Sequence, residues 1–313
     1  MKIILAPMEG LLDACMRDIL TKQGGFDLCM TEFLPVTTRM EPIKKFRRLC
    51  PEMDQGWRTA SGTPVVLQLL GSEPGAMAAN AERAFNLGAP GLDINFGCPS
   101  KLTNRRGAGA AVLKQPGRIY DIMKAVRAVV PQGVSLSAKI RLGYDDTSLI
   151  FENVAAIGEA GSDFITVHAR TKSDGYKSPA RWEWIARIRE SSSIPIVANG
   201  DINSVDDYLR CTDISGCDDV MLGRGAVSSP GLAGEIKAAL AGNNPTKLAW
   251  SEVHSLLTEM AEARRETHDD SRIAMRVKQW LVYLKKEYEE AGRCFQNVSR
   301  INEYSAMLPL LRN

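Results

Sequence analysis

The sequence predicts an α/β fold, a (β/α)8 barrel followed by a small C-terminal helical domain. Three observations predict this fold. Eight short β-rich segments recur in the first three quarters of the chain, helical stretches fall between them, and only amphipathic helices follow. Most of the β-rich segments are continuously apolar, which is typical of strands buried on both faces of a parallel sheet. Eight strand-then-helix units within about 240 residues match a (β/α)8 barrel. An open doubly wound sheet is the alternative, but eight similar units favour closure.

The strand segments are bounded by recognisable helix signals. They are Ile3–Met8, Leu28–Phe33, Val65–Leu70, Leu92–Gly97, Leu136–Leu142, Phe164–Ala169, Ile194–Ala198 and Asp219–Gly223. A predicted helix over Pro74–Leu87 ends before Gly88, a residue type common after helix ends. Pro116–Val130 carries an apolar helical stripe, and Ser204 is a suitable N-cap for the next helix. Residues Pro35–Gly62, between the second and third strands, show no clean helix.

The pattern changes after Gly242, where the linker Asn243–Thr246 begins and no further strands appear. Apolar residues recur at helical spacing in Trp250–Glu266, in Ile273–Ala291 and in the final segment around Phe295. These stripes predict a helical core. The sequence therefore predicts a catalytic barrel over residues 1–242 and a helical domain over residues 243–313.

Composition narrows the class of protein. Of the 313 residues, 44% are hydrophobic and 24% are charged, and the net charge is only +2, so bulk charge gives almost no evidence for nucleic-acid binding. No apolar run is long enough to span a membrane, and the N-terminus turns polar too early for a signal peptide. The seven cysteines show no CxxC pair and no metal-ligand spacing. We expect a cytoplasmic, monomeric protein with reduced thiols, no metal and no membrane partner.

Polar residues crowd the carboxyl ends of the predicted strands, where the active sites of such barrels lie. In strand order they are Pro7-Met8-Glu9, Gln68, Asn95 and Cys98, Lys139 and Arg141, His168 and Arg170, Asn199-Gly200-Asp201, and Gly223-Arg224. Burying so many polar groups in a core would be costly, so a binding site is favoured. The glycine turns after strands seven and eight suit a phosphate, and Arg224 can add a charge-assisted contact.

Three of these residues have competing interpretations. Pro99 holds Cys98 extended at a strand tip, where it is either a reactive thiol or a small buried hydrophobe. Lys139 interrupts an apolar strand, so it either points into the site or carries a large desolvation cost. His168 is either structural or functional. The basic cluster Lys44–Arg48 and the basic residues after Cys98 are either solvated loops or, if they share one face, a polyanion surface.

These motifs, in order, resemble the bacterial tRNA-dihydrouridine synthases, flavin enzymes that reduce a uridine in the tRNA D-loop. The matching segments are Ala6–Gly10, Gln68–Gly71, Asp93–Lys101, Lys139–Gly143, His168–Thr171, Asn199–Ile202 and Gly223–Ala226. The helical tail, with Lys278–Leu281 and Lys285–Tyr288, is most similar to the C-type subfamily, which acts on position 16.

The resemblance implies FMN, with its phosphate on the turns after strands seven and eight. It implies that Pro7, Met8 and Glu9 line the isoalloxazine ring and that Gln68 hydrogen-bonds its edge. Lys139 would face the N1/O2 side, and His168, Asn95 and Arg170 would hold the flavin edge and the uracil carbonyls. NADPH would reduce the flavin, N5 would pass a hydride to C6 of uracil, and Cys98 would protonate C5 as a general acid.

The resemblance also implies contacts to tRNA. Tyr176 would stack on or beside the flipped base, unless it only covers apolar surface. Phosphates would meet the basic βα loops on the active face, Lys101 among them, and the tail residues Arg272, Arg276, Lys278 and Gln279. Two departures from the family pattern, Arg105-Arg106 and Lys177-Ser178-Pro179, affect only details of substrate position.

Two alternatives remain open from the sequence. A dihydroorotate dehydrogenase-like barrel would share the FMN site, but it leaves the helical tail and basic loops without a use. A non-catalytic RNA-binding barrel is the other alternative, since fold does not fix function.

Overall fold

A computed structural model describes residues 1–311 and confirms a closed barrel of eight parallel strands in sequential order, followed by helices. The strands are β1 Ile3–Leu5, β2 Leu28–Pro35, β3 Val65–Leu70, β4 Gly91–Asn95, β5 Ser135–Arg141, β6 Phe164–His168, β7 Ile196–Asn199 and β8 Val220–Leu222. The helices up to residue 242 are α1 Ala14–Lys22, α2 Ile43–Leu49, α3 Pro74–Asn86, α4 Lys101–Arg105, α5 Pro116–Arg127, α6 Ile150–Glu159, α7 Trp182–Ser191, α8 Val205–Ser215, α9 Arg224–Ser228 and α10 Leu232–Leu240.

Four further helices follow: α11 Trp250–Glu262, α12 Asp270–Leu284, α13 Glu289–Val298 and α14 Tyr304–Leu311. They pack on one another, and α12 also packs on α9 and α11 on α1. The apolar core is continuous from barrel to tail, and the Trp280 indole donates to the Val227 carbonyl at 3.0 Å. The domain boundary at residue 242 stays a prediction, and Arg312 and Asn313 lie outside the described residues.

The structure differs from the sequence prediction in two places. The stretch Pro35–Gly62 contains the helix α2 and a 3₁₀ turn over Pro51–Gln55. The single helix predicted over Ile273–Ala291 was wrong, because it is two helices, α12 and α13, separated at Tyr288. Tyr288 takes extended backbone angles and its ring packs against Trp250, with 6.0 Å between ring centroids. Helix α12 therefore ends at Leu284, before Tyr288, although the apolar pattern of the segment is locally helical.

The barrel interior has an apolar part and a polar part. Side chains from strands β1, β2, β3, β7 and β8 form a small apolar cluster inside the barrel, which includes Ile4, Met30, Val66, Val197 and Met221. On β3, β4 and β5, the side chains of Gln68, Asp93 and Ser137 are completely or almost completely buried and hydrogen-bonded to one another. Strand register then sets Asn95 beside Lys139, and His168 beside both Arg141 and Asn199. The polar part of the interior thus leads directly to the carboxyl rim.

Asp13 joins the helical tail to the barrel. It is the N-cap of α1, where it accepts from the Met16 backbone N–H at 3.0 Å. Arg264 donates to both of its carboxylate oxygens at 2.7 Å, and Arg276 donates to it at 2.6 Å. Burial raises the pKa of the Asp13 carboxyl, but the two guanidinium groups outweigh burial and hold that pKa below its usual value. The Arg264 side chain is only 2% exposed, so the pair is protected from solvent screening on that side.

We expect Asp13→Asn to lower the free energy of unfolding by about 2 kcal/mol, because it leaves a buried guanidinium without its counter-charge. The value allows for the 34% exposure of the Asp13 side chain, which weakens the pair. Since the folded-state pKa is depressed, the stabilisation is present above roughly pH 4 and is lost as pH falls below it. Urea denaturation at pH 7 and pH 3.5 measures both effects.

Asp269→Asn is the matched control. Asp269 is also an N-cap beside an arginine, but this pair is 3.5 Å long and both side chains are mostly exposed. Its loss should cost less than about 0.5 kcal/mol. Equal losses for the two variants would contradict a special role for Asp13.

Candidate active site

One cavity of about 630 Å³ opens at the carboxyl end of the barrel. The predicted site residues that line it are Pro7, Met8, Glu9, Asn95, Cys98, Lys139, His168, Tyr176, Asn199, Gly200, Asp201, Gly223, Arg224 and Gln279. They come from the tips of six strands, from the loop after β6 and from helix α12. The closed parallel barrel therefore brings together residues as far apart in sequence as Pro7 and Gln279.

Cys98 lies in a tight turn directly after β4. The Asn95 Oδ1 atom accepts from the backbone N–H groups of Gly97 and Cys98, both at 2.9 Å. The Cys98 carbonyl accepts from the Ala110 N–H at 3.1 Å and from the Asn104 Nδ2 at 3.0 Å. Hydrogen bonds therefore hold the backbone of the cysteine on both sides. Cys98 lines the cavity and is only 8% exposed.

The thiol of Cys98 is held in its protonated form. Burial raises its pKa above the ordinary 9.0, although a hydrogen bond from the Ser100 backbone N–H and the hydrogen bond between the thiol and the Thr103 hydroxyl lower that pKa in part. Glu9 raises this pKa further and Arg141 lowers it. At neutral pH the group is a neutral thiol, able to donate a proton.

Lys139 occupies the cavity floor, and its Nζ donates to the Asn199 Oδ1 at 3.0 Å. The Asn199 Nδ2 donates in turn to the Met221 carbonyl at 2.8 Å, which fixes that amide. Burial lowers the pKa of Lys139 to about 8; Arg141 contributes to this shift and Asp93 opposes it. At pH 7 the Lys139 side chain is therefore still charged, although its pKa lies close to that pH.

His168 is neutral in this site. Burial, together with the nearby cations Arg141, Lys139, Arg170 and Arg224, lowers its pKa well below the usual 6.5. The Arg170 Nη1 lies 3.2 Å from the His168 Nε2, and a guanidinium can only donate, so Nε2 accepts. The remaining proton is assigned from this network to Nδ1. His168 is thus a hydrogen-bond donor through Nδ1.

The glycine turns after β7 and β8 form a closely packed part of the cavity wall. A Cβ at Gly200, whose φ is +125°, would lie 3.1 Å from the His168 ring and 3.2 Å from the Ala180 Cβ. A Cβ at Gly225 would lie 2.1 Å from the Ile202 carbonyl oxygen. Asp201 accepts from Arg224 at 3.3 Å and from the almost fully buried Arg170. Bare backbone beside a guanidinium is an arrangement suited to an anionic group.

Tyr176 lines the cavity, and its ring lies close to two guanidinium groups. The ring centroid lies 5.2 Å from the Arg141 Cζ and 5.1 Å from the Arg224 Cζ, and it is 6.2 Å from the His168 ring. The residue is still 56% exposed. The ring is therefore held by cation–π contacts while much of it remains open to a partner.

Several predicted site residues lie elsewhere. Gln68 is completely buried, and its amide bonds to Asp93 and Asn95. Its contact with the flavin edge stays a prediction. Arg170 is 1% exposed and lies behind His168 rather than in the cavity. Lys101 is exposed on α4, outside the cavity lining.

The predicted contacts on helix α12 fall into two groups. Gln279 lines the cavity and donates to the Gly10 carbonyl at 2.9 Å, and Arg272 is 65% exposed. Arg276 instead binds Asp13 and the Gly10 carbonyl, and Lys278 donates to the Ile301 carbonyl at 3.0 Å. The last two side chains therefore hold the protein together, because their charges meet acceptors within it.

Some residues that line the cavity were not predicted from the sequence. Arg141 was seen at a strand tip, and it proves to donate to the carbonyls of Gly97, Thr171 and Gly175. Its position two residues after Lys139 on one strand was a signal that both face inward. Phe33, Val282, Tyr283 and Lys286 also line the cavity, and no local pattern identified them.

The described residues contain no cluster of side chains with metal-ligating character, and none of the helices in residues 1–311 has the length and apolarity to cross a membrane. All seven cysteines are free thiols.

Comparison with known proteins identifies the family of this chain. The family model described as dihydrouridine synthase matches residues 4–309. The chain is 44% identical to the tRNA-dihydrouridine(16) synthase of Aquipseudomonas alcaligenes, over 99% of this chain and 100% of that protein. It is 46% identical to the enzyme of the same name from Shewanella oneidensis, over 95% and 93% of the two chains.

Solved structures with a similar fold are far more distant in sequence. An old yellow enzyme homologue from Zymomonas mobilis superposes with a TM-score of 0.52 at 11% identity, over 80% of this chain and 91% of that one. A 2-naphthoyl-CoA reductase superposes with a TM-score of 0.58 at 13% identity, over 77% and 50%. These likenesses show the barrel fold alone. Because the family model spans nearly the whole chain, this protein belongs to the dihydrouridine synthase family.

Proposed function

We propose that this protein reduces the uridine at position 16 of the tRNA D-loop to 5,6-dihydrouridine, with bound FMN and with NADPH as the reductant. The observation that carries the proposal is that one cavity joins the protonated Cys98 thiol, the Lys139 cation and the glycine turns after β7 and β8. The names of the most similar relatives, which specify position 16, support the choice of uridine.

The residues around the cavity fit FMN. Its phosphate would meet the glycine turns at Gly200 and Gly223 and the Arg224 guanidinium, and Pro7 and Met8 would lie along the ring. Lys139 would stand where reduced flavin carries negative charge. When bound, FMN would supply the hydride to C6 of uracil after receiving one from NADPH.

Cys98 would complete the reduction as a general acid. Its S–H bond breaks, a C–H bond forms at C5 of uracil, and the thiolate left behind recovers a proton from solvent. The Nδ1–H group of His168 would donate to a uracil carbonyl, while Asn95 keeps the cysteine turn in place. A base must leave its stack to reach this cavity, and the exposed Tyr176 ring at the mouth would receive it.

Exposed cations outside the cavity would bind the tRNA phosphates. Lys44, Arg48, Lys101, Arg105 and Arg106 are exposed, and the described part of the chain gives them no ion pair. They lie on α2 and α4 or directly after α4, in the segments that follow β2 and β4. These segments follow the carboxyl ends of their strands, so they flank the active face.

Family membership favours this proposal over the two alternatives left open by the sequence. A dihydroorotate dehydrogenase-like function would need no helical wall, yet Gln279, Val282 and Lys286 of α12 line the cavity. A non-catalytic RNA-binding role does not require the pairing of Lys139 with Asn199 inside the cavity.

The first test is Cys98→Ala. We expect the variant to keep its bound FMN and to lose about 100- to 10,000-fold in the rate of uridine reduction, the range for removal of a general acid. Dihydrouridine in tRNA is measured by mass spectrometry of nucleoside digests. Ser229→Ala, at a buried serine outside the cavity lining, is the control. Wild-type turnover by the Cys98 variant would refute the assignment.

The second test concerns the protonation of Cys98. Because burial raises its pKa, alkylation by iodoacetamide should be slow at pH 7 and should increase mainly above pH 9. Peptide mass spectrometry at a series of pH values measures the rate at this one cysteine, with glutathione as the reference thiol. A half-maximal rate at or below pH 8 would contradict a buried, protonated donor.

The third test concerns the polyanion. If about four phosphates meet cations, the logarithm of the tRNA association constant should fall against the logarithm of salt concentration with a slope of about −3. The change of Arg105 and Arg106 together to Gln should reduce this slope, and the change of Arg293 to Gln, on the exposed side of α13, should not. A slope near zero in filter-binding assays would exclude phosphate contacts as a main source of affinity.

A further inference from the structure

The turn after β1 is held from two sides by elements that are distant in sequence. Gly10, in this turn, has a left-handed backbone with φ of +72°. Its backbone N–H donates to the Glu32 Oε1 atom on β2. Its carbonyl accepts from the Gln279 Nε2 at 2.9 Å and from the Arg276 Nη1, both on α12. Both peptide groups that flank the Gly10 Cα therefore have fixed partners outside the turn.

The turn also closes on itself. The Met8 carbonyl accepts from the backbone N–H groups of Leu11 and Leu12, at 3.1 and 2.9 Å. Pro7–Glu9 and Leu11 line the cavity on either side of the glycine. Because these internal bonds keep the turn in one piece, its contacts with β2 and α12 set where that piece stands in the cavity wall.

Glu32 is suited to its side of the turn. It is partly buried, and a carboxylate can only accept, so it matches an N–H group and not a carbonyl. Burial raises the pKa of its carboxyl, and the hydrogen bond from the Gly10 N–H lowers that pKa in part. Among the nearby charges, Asp13 raises the pKa of Glu32, while Arg17 and Arg276 lower it.

Arg276 sets the direction of the Gln279 amide on the other side. The Arg276 Nη1 donates to the Gln279 Oε1 at 2.8 Å, and a guanidinium can only donate. The oxygen of this amide therefore faces Arg276, and its nitrogen faces the Gly10 carbonyl. Asp13 accepts from Arg276 at 2.6 Å and so holds the guanidinium in place. The donors of α12 and the acceptor of β2 thus meet opposite sides of one turn.

We propose that Glu32 and Gln279 are positioning residues, which act through Gly10 to hold the segment Pro7–Glu9 where it meets the flavin ring. This inference rests on the proposed function for the identity of the cofactor. Its structural part, that β2 and α12 hold the turn as one unit, is independent of the cofactor. A helix of the C-terminal tail, and not only the barrel, then contributes to FMN binding.

Two variants remove one contact each. Glu32→Leu removes the acceptor of the Gly10 N–H, and Gln279→Met removes a donor to the Gly10 carbonyl at a similar side-chain volume. We expect each to raise the Kd for FMN by about fivefold to tenfold, because a loosened turn must be ordered when the cofactor binds. The double variant should raise Kd by less than the product of the two effects, since both contacts restrain the same turn. Quenching of flavin fluorescence during titration of the FMN-free full-length protein measures Kd.

Two controls separate this role from other effects. Glu259→Gln breaks the exposed ion pair with Lys22, a contact between tail and barrel outside the cavity lining. Val298→Ala removes volume from a completely buried position in α13, so it should lower stability in urea without touching the turn. Both should keep the Kd for FMN within about twofold of wild type, because distant sites act independently. An equal rise of Kd in Val298→Ala would mean that FMN is lost through general instability, which would overturn the proposal.

Hydrogen exchange at the Gly10 amide tests the structural part without FMN. In Gln279→Met the acceptor on Glu32 is unchanged, yet this amide should exchange at least about threefold faster, because its turn has lost a restraint. An unchanged exchange rate would refute the single unit, and so would a double variant whose Kd equals the product of the single effects.

Wild-type FMN affinity in Glu32→Leu would refute the role toward the cofactor. If Glu32→Leu does not fold, Gln279→Met decides through both its Kd for FMN and its exchange rate at Gly10. If the wild-type protein binds no FMN, the proposed function fails, and the exchange rate alone then decides whether β2 and α12 hold the turn as one unit.

Discussion

The polar side chains at the centre of this barrel, Gln68, Asp93, Ser137, Lys139 and Asn199, can be buried because each of these five has a hydrogen-bond partner. An unpaired buried amide or carboxylate costs several kcal/mol, so these groups must satisfy one another. Asp93, with its pKa raised to about 6 mainly by burial, accepts from Ser137 and Gln68, and Lys139 bonds to Asn199. The same bonds that make burial tolerable also hold the cavity floor in one arrangement. Stability and preorganisation of the site thus come from one set of contacts.

This arrangement explains how a thiol near several arginines keeps its proton. Arg105 and Arg106, close to Cys98 in sequence, are exposed, so water and salt screen their charges. Arg141 is nearer, but its guanidinium is bound to three backbone carbonyls around the turn. Burial of the thiol therefore outweighs the cations, and the pKa of Cys98 rises. The exposed cations that suit a polyanion are therefore compatible with a neutral Cys98 thiol in the cavity.

The sequence predicted most of what depends on backbone topology. Continuous apolar strands predicted the barrel, and the rule that its carboxyl rim carries the site predicted Cys98, Lys139 and His168 as cavity residues. What could not be predicted depends on partners far away in sequence. Gln68 sits at a strand tip like the others, but its hydrogen bonds to Asp93 and Asn95 form only in the fold. The sequence of α12 predicted that Arg276 is free to bind phosphate. In the fold, Asp13 lies against it and accepts a hydrogen bond from its guanidinium.

The contact between Arg276 and the barrel bears on substrate choice. Arg276 and Gln279 of α12 both bind the Gly10 carbonyl, just after Pro7, Met8 and Glu9 on the flavin side of the proposed site. Helix α12 therefore cannot shift without disturbing the loop that follows β1. The same helix presents Val282 and Lys286 to the cavity mouth. A wall that is already anchored in this way would cost little further ordering when a partner binds. In the proposed function, the main role of the helical tail would then be to form one wall of the cavity beside the base that reaches Cys98. Binding of phosphates would be its lesser role.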